Sequence, residues 1–142
     1  MIKLDTFEEK KGYLEQFKKF KKKMKSLNMQ QRELEEKIIS VKAMIYSDMP
    51  RGSSNHKDLS DYIVQLEEIN QNIEDLRKII NNKYLIIKRA IMSVEDPDES
   101  LILQYCYIDD CRWKLISKKT GYSIRQCQRI CKSGIENILF KK

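Results

Sequence analysis

Glycine and proline are scarce in this 142-residue chain, with 4 and 2 copies. So few turn-formers exclude a collagen-like or low-complexity chain, and they argue against an all-β fold with its many tight turns. Long apolar runs are missing too, so the sequence offers no membrane-spanning segment. The opening residues, Met1 to Lys10, are charged throughout and lack the apolar core of a signal peptide. Histidine occurs once, at His56, and a single histidine cannot build a metal cluster. Enzyme motifs are also absent: there is no GxxxxGK[ST], HExxH or GxSxG. Carboxylate pairs such as Glu35/Glu36 and Glu67/Glu68 are adjacent in sequence and diverge on a helix surface. The expectation is a soluble, cytoplasmic, non-enzymatic protein without cofactor, catalytic residue or metal.

What is present is charge and helix-forming composition. Asp, Glu, Lys and Arg make up 35% of the chain, against about 25% in an average protein. Abundant Lys, Glu, Ile and Leu with so few breakers predict long helices. The formal net charge is +7, unevenly distributed. Residues 1–110 sum to −1 and residues 111–142 to +8, with Glu136 the one acid among nine basic side chains. A basic module on a near-neutral body points to a polyanion, because Lys and Arg displace counterions from phosphates. A plain basic tail would not carry the apolar pattern threaded through these charges.

All four cysteines, Cys106, Cys111, Cys127 and Cys131, fall in the last 40 residues. Without a secretory signal they do not read as a disulfide framework. Their spacing, C-x4-C and then C-x3-C, matches no common zinc module. Cys127 and Cys106 are expected as small apolar filling of a helical core, and Cys111 and Cys131 as partly exposed.

Two heptad series organise the first two thirds of the chain. Phe17, Phe20, Met24, Leu27, Gln31, Leu34, Ile38, Val41 and Ile45 advance in alternating steps of three and four, with Gln31 the one polar member. The pattern stops in a loop expected at about 48–57, where Pro50 and Gly52 stand among small polar residues. In the second series Leu59, Leu66, Ile73, Ile80, Ile87 and Val94 sit seven apart, interleaved with Tyr62, Ile69, Leu76, Lys83 and Ala90. Asp58 or Ser60 is available as its N-cap. Two long helices joined by a short loop fold back most simply as an antiparallel hairpin, and pairing between two chains is the alternative. Six lysines between Lys18 and Lys25 clothe the rest of the first helix, as a solvated surface or a secondary contact to DNA phosphates.

The remaining residues predict shorter helices. Asp96-Pro97-Asp98-Glu99 reads as a helix start, with an Asp cap, Pro at the first position and Glu three residues after the cap. Asp109-Asp110 breaks that helix, and either residue can cap the next one, which carries Trp113, Leu115 and Ile116. Thr120-Gly121 ends it. Ser123 then caps a last helix, with Gln126 as reciprocal partner and Cys127, Ile130, Cys131, Gly134, Ile135, Ile138 and Leu139 on one face.

The spacing Ile116-Ser117-x3-Gly121-x5-Cys127-x2-Ile130 suits a helix-turn-helix. Ser117 is small where two backbones approach, Gly121 sits in the turn, and Cys127 and Ile130 point inward. Ile124, Arg125, Gln126, Gln128, Arg129 and Lys132 then face outward or flank the interface. Arg matches the guanine edge in the major groove, Gln matches adenine, and Lys reaches phosphate. Lys118, Lys119 and Arg112 complete the candidate DNA-binding set. An ordinary helical hairpin with a polar exterior would not require acids to be nearly absent until Glu136.

Through Tyr105, Ile108, Trp113, Ile116-Ser117, Thr120-Gly121-Tyr122-Ser123, Ile130, Ile135 and Ile138, the chain resembles region 4 of sigma-70-type factors. More closely, it resembles the RinA/ArpU-like regulators of bacteriophages and prophages in Gram-positive bacteria. Asp48-Met49-Pro50-Arg51-Gly52 followed by Lys57-Asp58-Leu59-Ser60-Asp61-Tyr62-Ile63 is similar to an uncharacterised phage family of this type. The resemblance covers about residues 40–140 and implies a control protein of the bacterial host cytoplasm, typically acting on late phage genes. It implies groove-reading positions at Ile124, Arg125, Gln126, Gln128 and Arg129. Ile124 departs from the polar or basic residue frequent there, and the promoter-opening region of a full sigma factor is not recognisable.

The resulting expectation is an all-α protein. Residues 1–94 form a long, coiled-coil-like antiparallel hairpin, and 95–142 a helix-turn-helix domain that binds double-stranded DNA sequence-specifically as a transcription regulator. Its candidate partners are the major groove of duplex DNA, a second copy of the chain and host RNA polymerase, with no membrane. A small-terminase-like DNA-packaging protein and a coiled-coil protein-interaction adaptor are the competing readings.

Overall fold

A computed structural model describes residues 4–47 and 54–140. Among them every regular element is helical: α1 (Phe7–Ile45), α2 (Ser54–Met92), α3 (Pro97–Leu103), α4 (Trp113–Thr120) and α5 (Ile124–Asn137), with a π-helical turn at Gln104–Ile108 continuing α3. No described helix is long and apolar enough to cross a membrane. The 48–53 part of the expected loop lies outside the described residues, as do Lys141 and Lys142. The second long helix begins at Ser54, ahead of the expected Asp58 or Ser60 cap and inside the expected loop.

The chain divides into two compact units, one taking Lys21–Ile79 and the other the described residues up to Phe20 and from Ile80 onward. Within Lys21–Ile79, Leu27, Leu34, Ile38, Ile73 and Leu76 are buried. The remaining heptad positions of that unit are half-buried, Gln31 among them. Gln31 donates from Nε2 to Asn70 Oδ1 at 2.7 Å, so the one polar member of its stripe has a partner on α2. The Lys37 ammonium lies 5.7 Å from the Tyr62 ring centroid. Residue numbers rise along α1 as they fall along α2 in these pairs.

In the other unit, Leu14 and Phe17 of α1 and Ile87, Ala90 and Ile91 of α2 share one core with Val94 and the C-terminal helices. Leu14, Phe17, Ile87, Ile102, Leu103, Ile116, Cys127 and Ile138 are its fully buried members. The ends of the long helices therefore belong to the same core as α3, α4 and α5, and that core crosses the expected boundary at 94/95. The first helix starts ten residues before the Phe17 stripe, and Phe7, Lys10 and Leu14 carry the same three-four spacing upstream. Lys83, at a seam position of α2, sets its ammonium 4.5 Å from the Tyr13 ring centroid and 5.6 Å from that of Phe20. A cation is accommodated there on two aromatic faces.

Candidate nucleic-acid interface

The start of α3 follows the sequence closely. The Asp96 side chain accepts from the Asp98 and Glu99 backbone N–H groups, and Pro97 stands at the first helical position, where its missing donor costs nothing. Glu99 departs from expectation. Its carboxylate turns into the core, 5% exposed, and accepts from Ser133 Oγ at 2.7 Å and from Asn137 Nδ2 at 2.8 and 3.2 Å. Ser133 and Asn137 are one turn apart on α5, so a single buried carboxylate ties α3 to the last turn of that helix. Burial is tolerated because both oxygens accept hydrogen bonds.

Close approach completes the α3–α5 contact. A Cβ added at Gly134 would lie 2.9 Å from Leu103 Cδ1 and 3.3 Å from Glu99 Cβ, so glycine is what allows α5 to seat on α3. At the same end, Lys10 of α1 is buried and donates from Nζ to the Glu136 carbonyl oxygen at 3.0 Å. A cation on the last carbonyls of a helix also complements its macrodipole.

Asp109 and Asp110 end the π-helical turn, but neither caps α4. The N-cap is Arg112, whose side chain makes no capping hydrogen bond. Its carbonyl accepts from the Leu115 and Ile116 N–H groups. Asp110 instead takes a left-handed conformation at φ 54°, which Asp tolerates better than most residues.

The connection between α4 and α5 is as expected at its glycine and at Ser123, but Gln126 takes part in the cap through its backbone N–H and not as the reciprocal side-chain partner. Gly121 sits at φ 82° as the left-handed terminator of α4, its N–H bonded to the Ser117 carbonyl at 2.9 Å. Ser117 Oγ donates to the Tyr122 carbonyl, so the small residue at the crossing also holds the turn. Ser123 Oγ accepts from the Gln126 N–H at 3.1 Å and starts α5. The Tyr122 hydroxyl donates to Asp98 Oδ2 at 2.8 Å, joining the turn to the start of α3, and this bond raises the tyrosine's pKa.

On α5, Cys127, Cys131, Gly134 and Ile135 face the core, and Ile138 just beyond the helix is fully buried. Ile130 is half-buried. Leu139, expected on the same face, is 52% exposed because the chain leaves the helix after Asn137. Cys131, expected partly exposed, is buried; the neighbouring Cys106 thiol and burial push its thiol pKa up. Cys106 and Cys127 are buried as expected, Cys111 is half-exposed, and all four are free thiols.

Every candidate DNA-binding residue is solvent-exposed: Ile124, Arg125, Gln126, Gln128, Arg129 and Lys132 on α5, Lys118 and Lys119 in the last turn of α4, and Arg112 at its N-cap. Arg125, Arg129 and Lys132, spaced i, i+4 and i+7, form the middle of the outward face of α5. Ile124 and Gln128 lie along one edge of that face and Gln126 along the other. Two lysines are laid against the protein body, Lys119 with its ammonium 5.0 Å from the Tyr105 ring centroid and Lys132 at 5.9 Å from that of Phe7. Sequence reasoning missed the groups that orient α5, namely Glu99, Lys10 and Tyr122. The available signal was the i, i+4 pair Ser133/Asn137 on an otherwise basic helix. Compared with known proteins, the chain matches no family model, no curated protein and no solved structure.

Proposed function

We propose that this protein is a sequence-specific double-stranded DNA-binding transcription regulator of phage or prophage type. In this reading α4 and α5 are a helix-turn-helix, α1 and α2 are an antiparallel coiled-coil-like hairpin, and α5 enters the major groove. The observation that carries it is the outward face of α5, where two Arg, two Gln and a Lys stand exposed and no acid intervenes before Glu136. Arg and Gln are the side chains whose bidentate donors and acceptors match guanine and adenine edges. Lys118, Lys119 and Arg112 supply phosphate contacts beside the groove. The resemblance to RinA/ArpU-like regulators and to sigma-70 region 4 adds control of late phage genes, with host RNA polymerase as a candidate partner.

A single module with a handful of phosphate contacts binds weakly, with non-specific constants of about 10⁻⁴–10⁻⁶ M at physiological salt. Joining two copies raises affinity through effective concentration, and in this proposal the long helices pair the copies. The test is selection from a randomised duplex pool at two salt concentrations. Enrichment of a defined motif, with affinity falling as salt rises, supports a sequence reader, and a two-fold symmetric motif supports a dimer. Tight but unselective binding would favour a packaging role. No binding at either salt would show that the basic helix faces a protein.

A further inference from the structure

Ile124 is the first residue of α5 and 43% exposed, the one large apolar side chain of that helix left at the surface. Its neighbours on the outward face, Arg125, Gln126, Gln128 and Arg129, are all polar or charged. The backbone beneath it is fixed: Gly121 turns the chain in a left-handed conformation, and Ser123 caps the helix through the Gln126 N–H. A β-branched side chain at such a position has few rotamers, so its methyl groups are presented in a set direction. Ile124 is not among the buried residues of the core, and its exposed surface gains by being covered.

In the major groove the base edges offer hydrogen-bond donors and acceptors, with one apolar group among them, the C5 methyl that thymine carries in unmodified DNA. We propose that Ile124 is a specificity-determining residue that reads a thymine methyl, next to the bases read by Arg125, Gln126, Gln128 and Arg129. This rests on α5 being the groove-reading helix. Ile124 carries no charge, so its contribution falls on base preference and leaves the salt dependence of binding unchanged.

The test uses the full chain and the duplex it selects from a random pool. Each thymine of that duplex is replaced in turn by deoxyuridine, which removes the methyl and keeps the pairing edge. The expected result is one position per half-site where the replacement weakens wild-type binding roughly fourfold, the weight of one buried methyl group. Ile124→Ala should bind the thymine and deoxyuridine duplexes equally, with unchanged helicity by circular dichroism and an unchanged salt slope. Indifference of the wild type to every replacement would overturn the proposal while leaving the groove-reading helix intact. So would Ile124→Ala discriminating as the wild type does. Failure to select any motif would overturn both.

Discussion

Glu99 and Asn137 face each other across the α3–α5 contact, the Asn137 amide nitrogen at 2.8 and 3.2 Å from the two oxygens of a carboxylate that is 5% exposed. With Ser133 on the same carboxylate, this pair fixes how the candidate recognition helix sits on the rest of its unit. Truncating Glu99 to Ala would leave the Ser133 and Asn137 donors without their acceptor. We expect Glu99→Ala to lower unfolding free energy by about 3 kcal/mol, the scale for hydrogen bonds to a charged group plus stranded buried partners. Denaturant unfolding measures this directly. Glu99→Gln should lose less, since it retains one acceptor oxygen.

Two glycines should respond to alanine with opposite signs. Gly134 has Leu103 and Glu99 within 3.3 Å of the position a Cβ would take, whereas Gly12 has nothing within 4 Å. Gly12→Ala is expected to stabilise by up to about 1 kcal/mol through helix propensity. Gly134→Ala gains the same propensity but overpacks a buried contact, and a net loss of about 1–2 kcal/mol is expected. Melting temperatures of the two variants, compared with wild type, check the sign of each.

Alkaline stability should depend on Tyr107. Its hydroxyl donates to Glu15 Oε1 at 3.2 Å, and burial, followed by the neighbouring thiols and Glu15, raises its pKa above the ordinary value of 10.0. The folded state thus keeps a proton that the unfolded chain releases. The stabilisation is fully present below about pH 10 and declines as pH rises beyond it, by up to about 1.4 kcal/mol per pH unit from this one residue. Tyr107→Phe should show a shallower alkaline decline by that amount, read from denaturant midpoints across a pH series.

The cysteines should separate by reactivity. Cys111 is half-exposed, whereas Cys106, Cys127 and Cys131 are buried. The neighbouring Cys106 thiol and burial also hold the Cys131 thiol in its protonated, unreactive form. A thiol-alkylating reagent under native conditions should label Cys111 first, with the other three reacting only as the protein unfolds. Mass analysis of labelled peptides at successive times gives the order, and early labelling of Cys131 would contradict it.

Local pattern carried much of this fold. Every member of the Phe17–Ile45 and Leu59–Val94 series is buried or half-buried, because a 3.5-residue period selects one helix face whatever covers it. The Asp96 cap, the Gly121 terminator and the Ser123 cap were legible for the same reason: each acts within four residues of itself. The long-range partners were not. Glu99 fits a capping box in sequence, and only the arrival of α5 gives its carboxylate a better place. Lys10 interrupts an apolar spacing that continues upstream of Phe17, and its reason for burial is a carbonyl oxygen 126 residues away. Asp109 and Asp110 resemble caps by composition, but the N-cap of α4 is Arg112, two residues beyond a left-handed Asp110. At the candidate site, periodicity gave the outward face of α5, while the contacts that aim it depend on three other helices.

The most direct test compares wild type with Arg125→Ala/Arg129→Ala on a selected duplex and on an unrelated one. Both arginines are exposed, so helicity and melting temperature should stay within experimental error of wild type. If α5 reads the groove, the double variant loses its preference for the selected duplex and retains only weak, salt-sensitive binding to both. Retained preference with both arginines gone would contradict the account.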